Sequence, residues 1–557
     1  MQQDRISRQD VEQLLKLSLL NEPGHSKRSE HLLRRLTECK PASVAVCRSY
    51  HDALLFMYVH ACNNKIQGLA EKGLIQARDH VVSVMNSSRR HDQLSLSGSG
   101  IAGSMLTCQF SFAITHWLVE RFPGSVNLHS AAGDADAGGA ILHRLFPRVE
   151  YYYTTQGKMT LLKRIGSVTG KDRSLHKLVH TFRQRIADES LREILFDDLQ
   201  VFTSWKLDDP VFNRSFIKGI LLPVFYHKKI MKQVNLPALL AKPLPQKILL
   251  TPKQSTRLLD VAKASLAFYS RETEPITLAS PGEVKLFSFG RGLAIALFGI
   301  KPPRRLSLES YIGYMVFKNN VPVAYGGGWI FADRCKIGLN IYPPFRKGES
   351  ALLFAEVLRL YQRLYHVQRF VVKPYQFGKG NKEGLQSAAF WFYYKLGFRP
   401  QDRNLASLAE AEYKSGRRSG TGLLKRFTGS NLELSLNPLL PEDMDPELIS
   451  RMITHMILKK FNGDRMLALE RCSSILRNQL RVKDTSAYEP HFSELSLLTG
   501  LVPGIEAWPA AEKIKLVRLL KAKTNSDDAY IGQLQKCKKL LTGIYEVFQN
   551  QYALYGC

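Results

Sequence analysis

The sequence has little of what marks disulfide-rich, metal-binding or membrane-spanning proteins. Among its 557 residues are only eight cysteines, which form no CxxC pair, so no disulfide framework or zinc site is expected and a reducing compartment fits better. No apolar run approaches the ~20 residues of a membrane span, and the best candidate, residues 286–300, is interrupted by Arg291. The first ten residues are polar, so no signal peptide is expected. These absences predict a soluble, cytoplasmic protein without a metal site.

Acidic residues are also scarce relative to basic ones. The chain has 49 Asp and Glu against 78 Lys and Arg, which gives a net charge of +29. Such an excess favours polyanionic partners, namely nucleic acid, an anionic membrane surface or a phosphorylated cofactor. A solvated basic surface explains the same numbers, so charge alone leaves the partner open.

Hydrophobic patterning predicts an α/β protein with four regions. The composition, 45% hydrophobic and 23% charged, is ordinary for a folded chain, and the length predicts two to four domains. We expect a helical N-terminal region over residues 1–90, a mixed α/β region over 91–252, an α/β domain over 275–436 and a helical C-terminal domain over 441–557. Within the mixed region we predict a helix at 105–122 and strands at 125–129 and 151–155.

The stretch 311–400 has the most regular succession of elements. Two strands, 311–317 and 321–329, flank the turn residues Lys318, Asn319 and Asn320, as in a hairpin. A strand, a helix, a strand and a second helix follow, predicted at 336–341, 351–365, 370–374 and 386–395.

The turn between the third strand and the first of these helices is suited to an anion. Backbone N–H groups converge at a helix N-terminus, and the helix dipole adds about half a positive charge. Gly348 allows close approach of the backbone to a phosphate, and Arg346 and Lys347 add charge. Many strand-to-helix turns carry such residues without binding anything, so the turn alone does not identify a function.

The succession of elements, together with the closing phrase, resembles the GNAT acyltransferase superfamily. The matching residues are Gln386, Ala389 and Tyr393, with Leu396-Gly397-Phe398 after them. The resemblance covers roughly residues 275–436 and implies a GNAT-like mixed sheet, flanked by the helical and mixed regions. It implies an N-acyltransferase that uses acetyl-CoA or another acyl-CoA as co-substrate and an amine of unknown identity as acceptor.

The resemblance also implies roles for individual residues. Tyr393 would protonate the departing CoA thiolate as a general acid, a role open to a phenol of pKa near ~10. The pyrophosphate and the rest of the cofactor would be bound by five residues: Arg346, Lys347, Gly348, Ser350 and Gln386.

Three positions depart from the family pattern. Phe345 stands where Arg or Gln is usual, Ser350 replaces a second glycine, and Gln386 replaces Asn, for which Asn381 could substitute. No general base is evident, and the carboxylates near the site are Glu309, Asp333 and Glu349. Binding of an already neutral amine would make a base unnecessary.

Two other functions fit the sequence. One is a basic nucleic-acid-binding or scaffold protein with an inactive GNAT-like domain. The other is aminoacyl transfer from a charged tRNA, as in relatives with duplicated GNAT-like domains, although the sequence of the middle region does not reveal a second copy.

Weaker patterns elsewhere each have an ordinary structural explanation. Residues 98–103 match GxGxxG before a predicted helix, which suits a nucleotide site or a flexible turn. The remaining patterns are a pair of histidines at helical spacing, two aspartates in a small-residue loop, and a basic segment that would contact phosphate or only solvent: His176 and His180, Asp134 and Asp136, and residues 414–426.

Overall fold

The computed structural model describes residues 5–551 except 21–22, 88, 156–157, 439–440, 442–443, 483 and 490. The N-terminal region is a helical bundle closed by a short parallel strand pair, as its helical periodicity predicts. Its elements are β1 (Arg5–Ile6), α1 (Arg8–Leu20), α2 (Pro23–Leu36), β2 (Lys40–Pro41), α3 (Val44–Val59) and α4 (Asn64–Met85).

The middle region surrounds a three-stranded antiparallel sheet of order β3-β5-β4 with helices. Its elements are α5 (Arg90–Leu96), β3 (Met105–Gln109), α6 (Phe112–Arg121), β4 (Val126–Ala131), α7 (Ala135–Leu145), α8 (Tyr151–Thr154), α9 (Leu161–Thr169), α10 (Ser174–Arg185), α11 (Glu189–Asp198) and β5 (Val201–Lys206).

A nine-stranded mixed sheet forms the centre of the protein, in the order β13-β14-β12-β11-β10-β9-β8-β7-β6. The strands are antiparallel except for the pair β11–β12, which is parallel and is joined by helix α15. The elements are α12 (Leu236–Leu240), β6 (Gln246–Ile248), α13 (Pro252–Ala267), α14 (Glu274–Thr277), β7 (Lys285–Ser288), β8 (Leu293–Phe298), β9 (Ser310–Lys318), β10 (Val321–Phe331), β11 (Arg334–Ile341), α15 (Ser350–Tyr365), β12 (Arg369–Val372), α16 (Lys382–Gln386), α17 (Ala389–Lys395), β13 (Arg399–Pro400), α18 (Arg403–Ser415), α19 (Thr421–Phe427) and β14 (Leu432–Ser435).

The C-terminal region is helical and has its own apolar core. Its helices are α20 (Pro446–Phe461), α21 (Arg465–Leu480), α22 (His491–Gly500), α23 (Ala510–Asn525), α24 (Asp527–Lys536) and α25 (Lys538–Gln551). Phe331, the last residue of β10, and Ala332, in the turn after it, belong to this C-terminal core. The Gln535 side chain donates to the carbonyls of Ala332 and Tyr365 at 2.9 and 2.8 Å, so α24 ties this turn to the end of α15.

A single apolar core connects the other three regions. It runs from Ile6 through the N-terminal helices and the middle sheet to Leu432 in β14. Among the described residues, no helix is both long and apolar enough to cross a membrane.

The predicted α/β class and the hairpin at 311–329 are confirmed, but the hairpin turn lies in an unexpected place. Asn319 and Asn320 have positive φ, as a tight turn requires, yet both are buried. The Asn319 amide donates to the carbonyls of Val59 (2.8 Å) and Phe225 (2.9 Å). Polar turn residues are thus enclosed by the end of α3 and by the segment after β5.

Two secondary-structure predictions in the middle region are wrong. Residues 105–122 are not one helix, because Met105–Gln109 pairs with Val201–Lys206 as strand β3, and Ser111 then caps a separate helix. Residues 151–155 are not a strand, since Tyr151–Thr154 forms a short helix with its three tyrosine rings exposed. High β-propensity has little effect where no partner strand is present to pair with it.

The weaker motifs of the middle region have structural explanations. The GxGxxG segment leads into strand β3 rather than into a helix, and Gly98, Gly100 and Gly103 all have positive φ. The arrangement expected of a dinucleotide site is therefore absent from these described residues. Asp134 caps α7 by accepting from the N–H groups of Asp136 and Ala137, and so starts a helix instead of lying in a loop.

Candidate functional site

The parallel strands β11 and β12 separate soon after they meet. Their pairing comprises Arg334 with Arg369, Cys335 with Phe370 and Lys336 with Val371. In the described residues, β12 ends at Val372 while β11 continues to Ile341, and no residue of β12 is paired with Ile337 or with the residues after it. Residues 337–341, which we call the open edge of β11, thus face an opening in the sheet.

Side chains from three elements line this opening. Gln376, in a 3₁₀ turn at Pro374–Phe377, lies so close to Gly338 that a Cβ there would come within 2.7 Å of its amide. From β9, the Tyr314 hydroxyl donates to the Gly338 carbonyl. The Leu339 backbone N–H donates to the Tyr393 hydroxyl oxygen, an interaction that acts to lower the pKa of Tyr393. The open edge is therefore partly capped by side chains, not by another strand.

Tyr393 is positioned by aromatic packing. Its ring centroid lies 5.5 Å from that of Phe354 on α15, 5.1 Å from Phe392 and 5.9 Å from Phe398. Only 3% of Tyr393 is exposed. Burial raises the pKa of Tyr393, against the opposing effect of the Leu339 hydrogen bond, so the phenol stays protonated at neutral pH.

The helix that carries Tyr393 is shorter than predicted. Residues 386–395 do not form one helix, because Ala388 adopts positive φ and separates α16 from α17. Gln386 consequently ends α16 and is exposed, while Tyr393 lies on α17. Asn381, the alternative to Gln386, caps α16 by accepting from the Gly384 N–H.

The turn at residues 346–350 leads into α15 and is fixed by side chains. Arg346 is exposed, donates from Nε to the Ile341 carbonyl at 3.1 Å, and forms an ion pair with Glu383 on α16. The Ser350 hydroxyl donates to the Arg346 carbonyl at 3.1 Å. Lys347 is exposed, and its carbonyl accepts from the Lys232 ammonium at 2.5 Å.

Gly348 faces the interior of the protein. A Cβ at this position would lie 2.9 Å from the ring of His60, which follows α3. Its N–H already donates to the Phe345 carbonyl at 2.9 Å. The structure therefore explains Gly348 by its close packing against His60.

Beneath this turn lies a buried charge cluster of Glu349, Lys318, Arg291 and His227. The Glu349 carboxylate is fully buried and accepts from Lys318 Nζ at 2.5 Å, from the Met231 N–H at 2.9 Å and from Arg291. Burial acts to raise the pKa of Glu349, but these donors and charges outweigh it and lower the pKa to about 2. Burial lowers the pKa of Lys318 to about 8, against the opposing effect of Glu349.

The histidines in and near the cluster are held neutral. Burial, followed by the charge of Lys318, lowers the pKa of His60 to about 4 and that of His227 to about 3. Burial also lowers the pKa of His51 well below its usual value. All three rings are therefore uncharged at pH 7.

These shifts predict loss of stability in acid. The folded-state pKa values of His60 and His227 lie below the ordinary 6.5, so the unfolded chain takes up protons first as pH falls through 6.5 towards 4 and 3. Glu349 acts in the same direction between 4.5 and about 2. We expect the urea midpoint to decrease steadily from pH 7 to pH 4. An unchanged midpoint across this range would contradict these assignments.

The carboxylates considered as general bases are poorly placed. Glu349 has its oxygens engaged in the charge cluster and its pKa is lowered, so it cannot serve as a base near neutral pH. Asp333 precedes β11, about 20 Å of extended strand from Leu339. Glu309 precedes β9, whose Ser310 pairs with Ile330 at that same end of the sheet. The site therefore presents Tyr393 without an adjacent carboxylate among these three.

A groove of about 1010 Å³ adjoins the helix of Tyr393. One wall is α16–α17, with Gln386, Trp391, Phe392 and Lys395, and the other is the segment 412–424. Phe392 connects the groove to α15, because its ring centroid lies 6.0 Å from that of Phe354. Gln386 thus lines the groove, whereas Arg346, Lys347, Gly348 and Ser350 lie together at the turn before α15.

A second crevice, of about 390 Å³, lies between the middle region and the sheet. It is lined by α6, α10, α11 and α13, and its carboxylate Glu193 accepts from the N–H groups of Phe112 and Ala113. It contains none of the residues predicted for the site. Among the described residues, no group of three or more His, Cys, Asp or Glu side chains is arranged to hold a metal ion.

The sequence did not indicate the contributions of Tyr314, Gln376 and the buried charge cluster. Tyr314 appears as one more aromatic residue within a strand pattern, and Gln376 as an ordinary turn residue. Of the cluster, the sequence showed only that Lys318 lies in a hairpin turn and that Glu349 lies in the turn before a helix.

Comparison with protein-family models, curated proteins and solved structures finds no match for this chain.

Proposed function

We propose that this protein is an acyl-CoA-dependent N-acyltransferase that transfers an acyl group, such as acetyl, directly to an amine. The observation that carries the proposal is the open edge of β11 beside Tyr393. An unpaired strand edge offers N–H and C=O groups to an extended ligand that carries amides. The pantetheine arm of CoA has two amides and ends in the thioester.

The opening and the turn before α15 lie on one continuous path. The open edge ends at Ile341, and Arg346 donates to the Ile341 carbonyl from the turn that starts α15. A pyrophosphate at the first turn of α15 would meet free N–H groups, the positive end of the helix dipole, Lys347 and Ser350. Arg346 would join them by exchanging Glu383 for a phosphate oxygen. Gly348 would contribute by letting the turn pack on His60.

The proposed reaction needs little from the protein beyond positioning. The amine nitrogen attacks the thioester carbonyl, the carbon–sulfur bond breaks, and the products are an amide and CoA thiol, with one proton moving from nitrogen to sulfur. Tyr393, being protonated, donates a hydrogen bond to the departing sulfur. Complete proton transfer becomes costlier as the phenol pKa rises, so stabilisation of the thiolate is the principal role we assign to it.

Ser350→Glu tests the turn without disturbing the fold. A carboxylate in the first turn of α15 interacts favourably with the helix dipole, so stability should be retained. The same charge would face the pyrophosphate, and because like charges placed together cost several kcal/mol, we expect acetyl-CoA affinity to fall by about tenfold or more. Isothermal titration calorimetry measures this.

Ser350→Ala is the matched control: it removes the hydroxyl, which donates within the turn, without adding a charge, so it should weaken acetyl-CoA binding much less than Ser350→Glu does. Equal affinity for wild type and Ser350→Glu would refute the assignment of the turn. Absence of any binding by the wild type would refute the proposed function.

Three observations favour the alternative of a nucleic-acid-binding or scaffold protein with an inactive domain. Tyr393 is buried and Gln376 occupies part of the opening, while the chain carries a charge of +29. RNA binding that weakens steeply with salt, together with no acetyl-CoA binding, would support this alternative. The other alternative, aminoacyl transfer, was considered for a protein with two GNAT-like domains. A second such domain should repeat the parallel strand pair, but the middle sheet, as far as it is described, contains only antiparallel pairs.

A further inference from the structure

The groove beside α17 has more positive charge than its own residues neutralise. Lys395, Arg417 and Arg418 line it, and none of them forms an ion pair within the described part of the chain. The carboxylate of Glu412, also in the lining, accepts from the Ser419 hydroxyl at 2.8 Å. An anion entering the groove would thus meet cations that have no carboxylate partner.

The groove also presents aromatic surface. Trp391 and Phe392 are half-buried in its wall, and Tyr413 on the opposite side is 49% exposed. The Trp391 indole N–H donates to Ser419 Oγ at 3.1 Å, which fixes the ring and the basic segment relative to each other. Aromatic faces of this kind stack on nucleobases, and the neighbouring cations suit phosphate.

We propose that this groove binds the 3′-phosphoadenosine end of the acyl-CoA, with Arg417, Arg418 and Lys395 on the 3′-phosphate and Trp391 beside the adenine. The inference rests on the proposed function. The groove adjoins the proposed site through Phe392, whose ring packs on Phe354 in α15, the helix that starts at the pyrophosphate turn. The volume of about 1010 Å³ lies at the upper end of the range of about 300–1,000 Å³ that is usual for cofactor sites, so the groove is large enough for a nucleotide.

The test compares CoA with dephospho-CoA, which lacks only the 3′-phosphate. Calorimetric titrations are run on the full-length wild type, on Arg417→Ala/Arg418→Ala and on Lys414→Ala. Lys414 is the matched control, since it is exposed, pairs with Glu410 and does not line the groove. Charge-assisted hydrogen bonds contribute roughly 1.5–3 kcal/mol, so the double variant should bind CoA about tenfold to a hundredfold more weakly.

The double variant should bind dephospho-CoA as the wild type does, and Lys414→Ala should bind both ligands normally. An equal loss for both ligands, or no loss for CoA, would overturn the groove assignment while leaving the proposed function intact. If the wild type binds neither ligand, the proposed function fails, and adenosine 3′,5′-bisphosphate becomes the probe. Binding that depends on Arg417 and Arg418 would then support the groove as a nucleotide site, and no binding would overturn it.

Discussion

Glu349→Gln should lower the free energy of unfolding by about 3–5 kcal/mol, the usual cost of removing one partner from a buried ion pair. The neutral side chain would leave the Lys318 ammonium, which is 1% exposed, and Arg291 without their carboxylate. The cost arises mainly from the unpaired buried charge that remains, not from the loss of attraction. Urea denaturation monitored by circular dichroism measures it.

Two further variants identify the cause. Adding Lys318→Met to Glu349→Gln should recover part of the lost stability, since it removes the unpaired ammonium. Glu383→Ala breaks the exposed pair with Arg346 and should change stability little, as exposed ion pairs contribute little. A loss for Glu383→Ala as large as that for Glu349→Gln would show that burial of the cluster is not the cause.

Tyr393→Phe should decrease acyl transfer by about 100-fold or more, the range typical for loss of one hydrogen-bond donor to the negative charge that develops in the transition state. The aromatic packing with Phe354, Phe392 and Phe398 is retained, so the fold should persist. The assay follows release of the CoA thiol from acetyl-CoA with an amine that the wild type acylates, selected from a panel of polyamines, peptides and amino sugars. The effect should appear in kcat, with acetyl-CoA affinity nearly unchanged.

Tyr394→Phe is the matched control because it removes the hydroxyl of the next residue, which is equally buried. The Tyr394 ring carries the Arg399 guanidinium at 3.9 Å on its face, a contact that phenylalanine keeps. We expect Tyr394→Phe to remain active. Full activity of Tyr393→Phe, or equal loss in both variants, would rule out a specific role for the Tyr393 hydroxyl.

The central hairpin and the helix after the turn were predictable because their signals are local. Asn319 and Asn320 favour the positive φ that the turn uses, and continuous runs of apolar and aromatic residues mark both strands. Helix α15 carries its periodicity within its own sequence. Tyr393 and the turn at 346–350 could be identified as candidate site residues from the sequence for the same reason, since each belongs to a short local pattern.

What the sequence did not indicate depends on residues far apart in the chain. Strand β3 forms because β5 pairs with it, and no local pattern identifies that partner. Nothing in the sequence of residues 386–395 marks Ala388 as a break, and tertiary packing fixes it in a strained conformation. The role of Gly348 required His60 to be placed, and that contact joins the N-terminal bundle to the turn.

The buried hairpin turn has a consequence for the order in which the chain folds. Asn319 binds a carbonyl 260 residues earlier, and Glu349 binds a backbone N–H 118 residues earlier. Contacts between such distant parts of a chain form slowly, because the entropy of closing long loops is lost before any contact energy is gained. Because synthesis starts at the N-terminus, residues 1–231 also emerge long before the strands and the turn that they enclose. The turn before α15 reaches its final shape only when both ends of these long loops are present.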